Sequence, residues 1–537
     1  MSGTADEYEV IVVGAGSAGA IVAARLAAAG RRTLLIEAGG SDRSRLCMVP
    51  GMVSIIHTTP QVKKKFDWGY YTTPQRHAAD RRIPTVRGRV LGGSSSINGM
   101  LYVRGHRQNY RDWLADGCTG WGEEDVLRAF KRLEDWEGGE TEFRGKGGPV
   151  AVTKQRDVTP ASEVLVGAIA ETCGVPVLDD YNAAEQEGAS LFQMSARNGR
   201  RYSTSEAYLQ APPSNLTILT GATVAKVVIE RGRATGVELL AGKERRVVRA
   251  SGEVVLSGGV IGSAQLLLLS GVGPAADLSA LGVEVVSDLP VGKNLHDHLF
   301  VPMTFLAPQA IHRGTALHFF SGMFAEMTRG DSWFGRTVFE AAAFVKSSKC
   351  QGPAPDIQIH CLPWSYPSPN QDLPVRPVVD KRPAMTVMPT LIYPKSRGEL
   401  RLLSTDPLAA PHIDPAYLSD PDDARLLLEG MRLVRQIMAH GSLSKIVTGE
   451  LHPGAEHASD EQLRELLKTR IHTVYHPVGT CRMGQDERSV VDPSLRVRGV
   501  DGLRVADASV MPSITGGNTN APAMMIGERC AELMLSS

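Results

Sequence analysis

Apolar residues first cluster from Tyr8 to Val13 (YEVIVV), a β-branched run of strand length. The alanine-rich AIVAARLAAAG that follows predicts a buried helix closed by Gly30, and Thr33 to Ile36 predicts a second strand ending in Glu37. Between strand and helix stand Gly14, Ala15, Gly16, Ser17, Ala18 and Gly19. From Gly40 to Arg82 the pattern has little period, which predicts a long irregular excursion. Leu216 to Glu238 alternates and turns like a β-meander, and Glu253 to Leu256 is a strand running into Gly258 and Gly259. From about Phe300 to Arg464 prolines become frequent around strand-like runs such as MTVMPTLIY and ELRLLS. There is no internal repeat and no low-complexity tract.

A chain of 537 residues exceeds one ordinary core, so two domains are expected. Apolar content of 42% and charged content of 22% suit a soluble globular enzyme. The 58 basic and 58 acidic residues balance, which argues against a nucleic-acid partner. No apolar run approaches the roughly 18 residues of a transmembrane segment. The opening MSGTADEYEV lacks a basic region leading into an apolar one, so no secretory signal and a cytoplasmic location are expected. Seven cysteines without a C-x-x-C pair fit reduced thiols. His472 and His476 are spaced like metal ligands on a helix, but Pro477 and the missing glutamate of H-E-x-x-H argue against one; no metal is expected.

The glycine turn gives the first chemistry. Gly14 makes the turn, Gly16 lets backbone approach a pyrophosphate, and Gly19 lets helix pack on strand, while Ser17 and Ala18 open the helix. A helix N-terminus offers free N–H groups and partial positive charge to phosphates. Glu37 lies where an acid accepts hydrogen bonds from ribose hydroxyls, which favours FAD or NAD over NADP. The loop GRVLGGSSSINGMLYVRG, Gly88 to Gly105, adds small polar groups and open amides suited to a planar or phosphorylated ligand. Near the C-terminus, His476 precedes Pro477 in backbone pushed to extended angles, and Asn518 follows the pair Gly516-Gly517. Such backbone holds side chains at set positions.

Together the fingerprint, the Gly88–Gly105 loop, SGGVIGSAQLLLLSGVGP, VGKNLHDH, HPVGTCRMG and VVDPSLRVRGVDGLRVADASVMP resemble the glucose-methanol-choline (GMC) oxidoreductases, in the branch similar to choline and alcohol dehydrogenases. The match runs from end to end in the right order. It implies an α/β fold: a Rossmann-like FAD domain from residues 1–150, 196–303 and 465–537, and an α+β substrate domain from 151–195 and 304–464, built on a mostly antiparallel sheet. It places Trp68, Val90, Ser94, Asn98, Gly99 and Met100 against the cofactor, with Val224 meeting the adenine end through its backbone. Asp507 and Ala508 are expected at the ribityl and phosphate region, and Thr519 and Asn520 near the ring; a helix cap by Asp507 or Ser509 is the competing reading. Relatives that bind FAD covalently use a histidine in the Gly/Ser loop. This chain has Ile97 beside Asn98, so non-covalent FAD is expected.

Oxidising an alcohol through a flavin requires a base for the hydroxyl proton and a donor to the oxygen. A histidine with a pKa near 6.5 serves as base and an amide as donor. The resemblance assigns these roles to His476 and Asn518. Glu340, His360 and Tyr475 are expected at the substrate pocket. There a carboxylate with Phe339, Trp364 and Tyr366 would suit a quaternary ammonium, and a glutamate satisfied by backbone donors is the plainer reading. The implied activity is oxidation of a small-molecule alcohol to aldehyde or ketone, the alternative being a flavin-containing lyase similar to hydroxynitrile lyases. Whether oxygen, a quinone or another acceptor takes the electrons depends on cavity and charge beside the flavin, which no motif encodes, and no motif speaks to oligomeric state.

Overall fold

β1 (Glu7–Val13) lies at the centre of a seven-stranded sheet because its apolar run is covered on both faces. The computed structural model describes residues 7–156, 158–241, 244–308, 316–329, 332, 335, 338–366 and 382–536. The turn after β1 leads into α1 (Gly19–Ala28), and β2 (Thr33–Glu37) pairs in parallel with β1. On its other side β1 pairs in parallel with the second half of β3 (Glu244–Leu256), and Leu503–Val505 continues the parallel order. Glycine is required at two points of the turn. A Cβ on Gly14, whose φ is +99°, would sit 2.4 Å from the Ser257 carbonyl oxygen, and one on Gly19 would sit 2.0 Å from that of Gly14.

The meander expected over Leu216–Glu238 divides in two. Thr223–Glu230 and Arg233–Ala241 fold back antiparallel onto β3, whereas Leu216–Thr220 pairs in parallel with β2. Gly221, at φ +68°, turns the chain between them, and the free edge of β2 supplies the pairing. The excursion expected from Gly40 to Arg82 contains helices at Arg45–Met48, Val53–Thr58 and Pro60–Phe66. Each is too short to show a helical period, and only Ser44, which caps the first, and Pro60 mark their starts.

A second, eight-stranded sheet is antiparallel throughout. Its centre is β4 (Ala341–Val345), β5 (Ile357–Leu362) and β6 (Ala384–Leu391), flanked by Gly188–Leu191 on one side and Met303–Leu306 with Gly449–His452 on the other. Ile357, Ile359 and Cys361 of β5 join the core under α2 (Pro160–Cys173) and α3 (Pro421–Met438). Gln358 and His360 therefore face the opposite way, toward the nucleotide-binding sheet. Leu299–Phe300 and His472–Thr473, expected with the nucleotide-binding segments, pair into this second sheet. The chain thus crosses between the two sheets immediately beside His298 and His476.

The last helix, α4 (Asn520–Leu535), returns to the first. Gly527 allows it to approach Ala18, where a Cβ would meet the carbonyl oxygen at 2.6 Å, and Arg25 pairs with Glu528 at 2.9 Å. Among the described residues no helix is long and apolar enough to cross a membrane. The residues 1–6 of the expected unprocessed N-terminus lie outside the described ones.

Candidate active site

The glycine turn and the Gly/Ser loop face each other. A Cβ on Gly93 would lie 2.7 Å from Gly16 Cα, so two stretches of bare backbone stand side by side. Ala18, just before α1, provides no side-chain cap, which leaves N–H groups at the helix start for a ligand. Ser17 Oγ donates to Asn520 Oδ1 at 2.7 Å, tying the fingerprint to the first residue of α4, whose preceding Thr519 provides no side-chain cap either. Glu37 accepts from the Ala15 amide at 3.0 Å and the Gly39 amide at 2.8 Å, one on each carboxylate oxygen. Burial raises its pKa to about 7, against the stabilising pull of those amides. The backbone after the Leu216–Thr220 strand closes over it, with Ala222 donating to the Glu37 carbonyl, and Val224 is buried just beyond.

Arg201 was not anticipated from sequence, and it organises the Gly/Ser loop. It donates to Asn98 Oδ1 and to the Asn98 carbonyl, both at 2.6 Å, to Ser95 O at 3.1 Å and to Cys47 O at 2.8 Å. Asn98 Oδ1 also accepts from the Met100 amide, holding Met100 at φ +65°. Ser94 Oγ accepts from Gly88, Val90 pairs with Gly40, and Gly99 packs against the Phe339 ring. Trp68, over a third exposed, lies at the rim between Tyr70 and Arg89.

Opposite this cradle, two buried histidines and two amides form a continuous chain of hydrogen bonds. His298 Nε2 contacts the Ile392 carbonyl at 2.9 Å, and His298 Nδ1 contacts His476 Nδ1 at 3.1 Å. His476 Nε2 meets Asn518 Nδ2 at 3.3 Å, and Asn518 Oδ1 accepts from Gln358 Nε2 at 3.2 Å. A carbonyl only accepts, so His298 carries its proton on Nε2 and presents a lone pair at Nδ1. His476 must then carry its proton on Nδ1, leaving Nε2 as acceptor toward Asn518. Burial holds His298 at about 3, and burial together with His298, His360 and Arg87 holds His476 well below 6.5, so both rings are neutral at pH 7.

The backbone around His476 is equally constrained. Asp297 accepts from the His476 amide at 2.9 Å, from Tyr417 Oη at 2.7 Å and from Thr473 Oγ1. Tyr475 adopts φ +64°, its carbonyl accepts from Arg87, and its ring stacks on His57. His296 donates from Nδ1 to Asn294 O and accepts the Ile514 amide at Nε2, anchoring the segment before Asn518. Asn109 accepts from the Gly516 amide at 2.9 Å.

Two family models match the chain, both described as GMC oxidoreductase, over residues 8–300 and 394–527. The chain belongs to the GMC oxidoreductase family. It is 38% identical over 539 residues to an alcohol dehydrogenase [acceptor] of Pseudomonas putida, covering 98% of this chain and 96% of that one. It is likewise 38% identical to an oxygen-dependent choline dehydrogenase of Rhizobium etli, with the same coverage of 98% and 96%. Pyridoxine 4-oxidase from Mesorbium loti superposes with a TM-score of 0.87 at 30% identity, covering 99% of this chain and all of that one.

FAD, the GMC cofactor, fits these residues: the paired glycine backbones, the uncapped helix start and the Glu37 carboxylate are the parts its pyrophosphate and ribose need, and no histidine in the Gly/Ser loop offers a covalent tether.

Two expected residues are used otherwise. Asp507 accepts from Ser509 N, Gly259 N and Ser263 Oγ, at 2.8, 2.9 and 2.6 Å, so its carboxylate caps two helix starts instead of facing a ribityl chain. Its neighbour Ala508 accepts from Gly479 through its carbonyl. Glu340 points away from His476: its Oε2 accepts from Thr159 N, Thr159 Oγ1 and Ser162 Oγ at 2.9, 2.6 and 2.8 Å at the start of α2. These three donors hold that oxygen at the start of α2. His360 remains beside the site, its ring stacked on Phe192 and edge-on to Phe339. His298, Asp297 and Gln358 were missed, although the consecutive ionisable residues His296, Asp297 and His298 beside apolar neighbours signalled the first two.

Proposed function

We propose that this chain oxidises an alcohol to an aldehyde or ketone, with His476 as base and Asn518 as hydrogen-bond donor to the substrate oxygen. The reading is carried by the unprotonated Nε2 of His476 standing 3.3 Å from an amide N–H group. FAD supplies the acceptor for the carbinol hydride at N5. The chain's own residues do the rest. His476 Nε2 takes the hydroxyl proton, and its Nδ1–H stays on His298, which keeps the lone pair aimed at the substrate. The Asn518 carboxamide is held at Oδ1 by Gln358, so its N–H group faces His476 and the alkoxide-like oxygen. The surrounding apolar groups, Phe300, Leu362, Met388 and half-buried Trp364 and Tyr366, exclude water.

The alcohol and choline dehydrogenases among the relatives support alcohol oxidation. Anaerobic mixing of the holoenzyme with a panel of alcohols tests this. Bleaching of the flavin absorbance is expected with at least one alcohol and is lost in His476→Ala; an unchanged spectrum with every alcohol, alongside cyanohydrin cleavage, would establish the lyase instead.

A further inference from the structure

On the site-facing side of β5, Gln358 and His360 stand two residues apart, both almost wholly buried. Each leaves one acceptor without a partner. Gln358 spends its amide nitrogen on Asn518 Oδ1, and its Oε1 meets no donor. His360 Nδ1 lies 3.1 Å from Thr390 Oγ1, and that hydroxyl donates to the Met388 carbonyl at 3.3 Å. The hydroxyl proton being committed, His360 must donate from Nδ1 and hold its lone pair on Nε2, which has no hydrogen-bond partner. Asn518 lies near enough to favour a charged His360 slightly, yet its carboxamide bonds to Gln358 and His476. Burial keeps the ring neutral, near a pKa of about 3.

Resting on the alcohol-oxidising reading of this site, we infer that the preferred substrate carries a second hydrogen-bond donor, a hydroxyl or N–H group, which Gln358 Oε1 and His360 Nε2 receive. Two buried acceptors without a donor are costly, and a ligand that supplies one is favoured over an isostere that cannot. The same wall argues against a quaternary ammonium. Such a group has no N–H to give, and the Glu340 carboxylate that would attract its charge is turned toward Thr159 and Ser162. The Phe192 and Phe339 rings, which contact His360 and each other, suit a flat or apolar body between the reacting hydroxyl and this second donor.

Matched pairs of alcohols test the inference on the FAD-loaded enzyme: 2-hydroxybenzyl against 2-methoxybenzyl alcohol, and 1,3-butanediol against 3-methoxybutan-1-ol, with choline alongside. The hydroxylated member of at least one pair is expected to have a kcat/KM at least about tenfold higher than its methyl ether, and choline to be the poorest substrate. His360→Phe, which keeps the aromatic stacking, should collapse that ratio to within about threefold; His360→Gln, which restores an acceptor, should recover part of it and serves if the phenylalanine variant does not fold. Turnover of both members at equal kcat/KM, or a ratio unchanged in His360→Phe, overturns the inference while alcohol oxidation stands. A weakened FAD dissociation constant in His360→Phe with unchanged selectivity assigns the acceptors to the cofactor and overturns it as well. Failure of every alcohol to bleach the flavin removes the underlying reaction, and the inference with it.

Discussion

His298 and His476 meet nitrogen to nitrogen, Nδ1 to Nδ1 at 3.1 Å, so one proton lies between them and its owner is decided elsewhere, by the Ile392 carbonyl on the far side of His298. His298 is therefore a positioning residue for the tautomer of His476. In His298→Phe the ring shape remains and the acceptor is lost, freeing His476 to move its proton to Nε2. Flavin reduction should slow by about tenfold to a hundredfold, while FAD binding and substrate KM change little. An unaltered reduction rate in a folded, FAD-loaded variant would sink this role.

Replacing the two groups that face the reacting oxygen should separate base from donor. His476→Ala is expected to lower the rate of flavin reduction by about 10² to 10⁴, and Asn518→Ala by about 10² to 10³. Stopped-flow reduction under anaerobic conditions measures both. If either variant reduces its flavin at the parental rate, that residue is not part of the chemistry.

Burial depresses the His476 pKa first, and His298, His360 and Arg87 add to it. A base acts unprotonated, so kcat/KM for reduction should be level above pH 6.5 and decline only at lower pH. The same direction fixes a stability effect. His57, His296, His298, His360, His472 and His476 all have lowered pKa values in the fold, so their contribution is complete above about 6.5 and lost as pH falls below it. They outnumber Glu37, Asp297 and Asp507, whose raised values act oppositely. The melting temperature of the apoprotein should drop between pH 7 and 5; a rise would contradict the assignment.

Glu37 ties cofactor affinity to pH. With its pKa raised to about 7 by burial, the carboxylate loses an acceptor as pH falls through that value. FAD should bind more weakly below pH 7, by at most about tenfold per unit for one coupled proton, as followed by flavin fluorescence. Glu37→Gln should bind weakly at all pH values, its amide N–H group opposing the Ala15 or Gly39 amide. A pH-independent dissociation constant for the parent would refute this.

Glu340 is predicted to matter for stability and not for substrate choice. Glu340→Gln disturbs the donors of Thr159 and Ser162 and should cost about 1.5–3 kcal/mol in denaturant unfolding. The ratio of choline to neutral-alcohol turnover should stay the same; a selective loss of choline oxidation would restore the carboxylate to the pocket.

The sheet around β1 was legible because its signals are local: a strand, a glycine turn, a helix and an acid at set spacing. His476 and Asn518 could be singled out because proline and glycine mark unusual backbone next to them, and the family resemblance gave the pair a purpose. The groups that orient them could not be read. Gln358 reaches Asn518 across 160 residues, His298 reaches His476 across 178, and Arg201 reaches Asn98 across 103. Such roles arise only when strands from both sheets converge. Asp507 and Glu340 each left two readings open for the converse reason, since a carboxylate near a presumed ligand looks the same in sequence whether it faces that ligand or a helix start. Leu216–Thr220 alternates like any meander strand, and the edge it joins is invisible until β2 is in place.

The bond from Ser17 to Asn520 spans 503 residues, which makes the ribosome part of the cofactor's story. The first strand and turn are made long before Asn520, and the cradle lacks one wall until that residue has been added. Flavin loading therefore belongs after α4 has been made, and a truncation that removes α4 would yield a colourless product however intact its fingerprint.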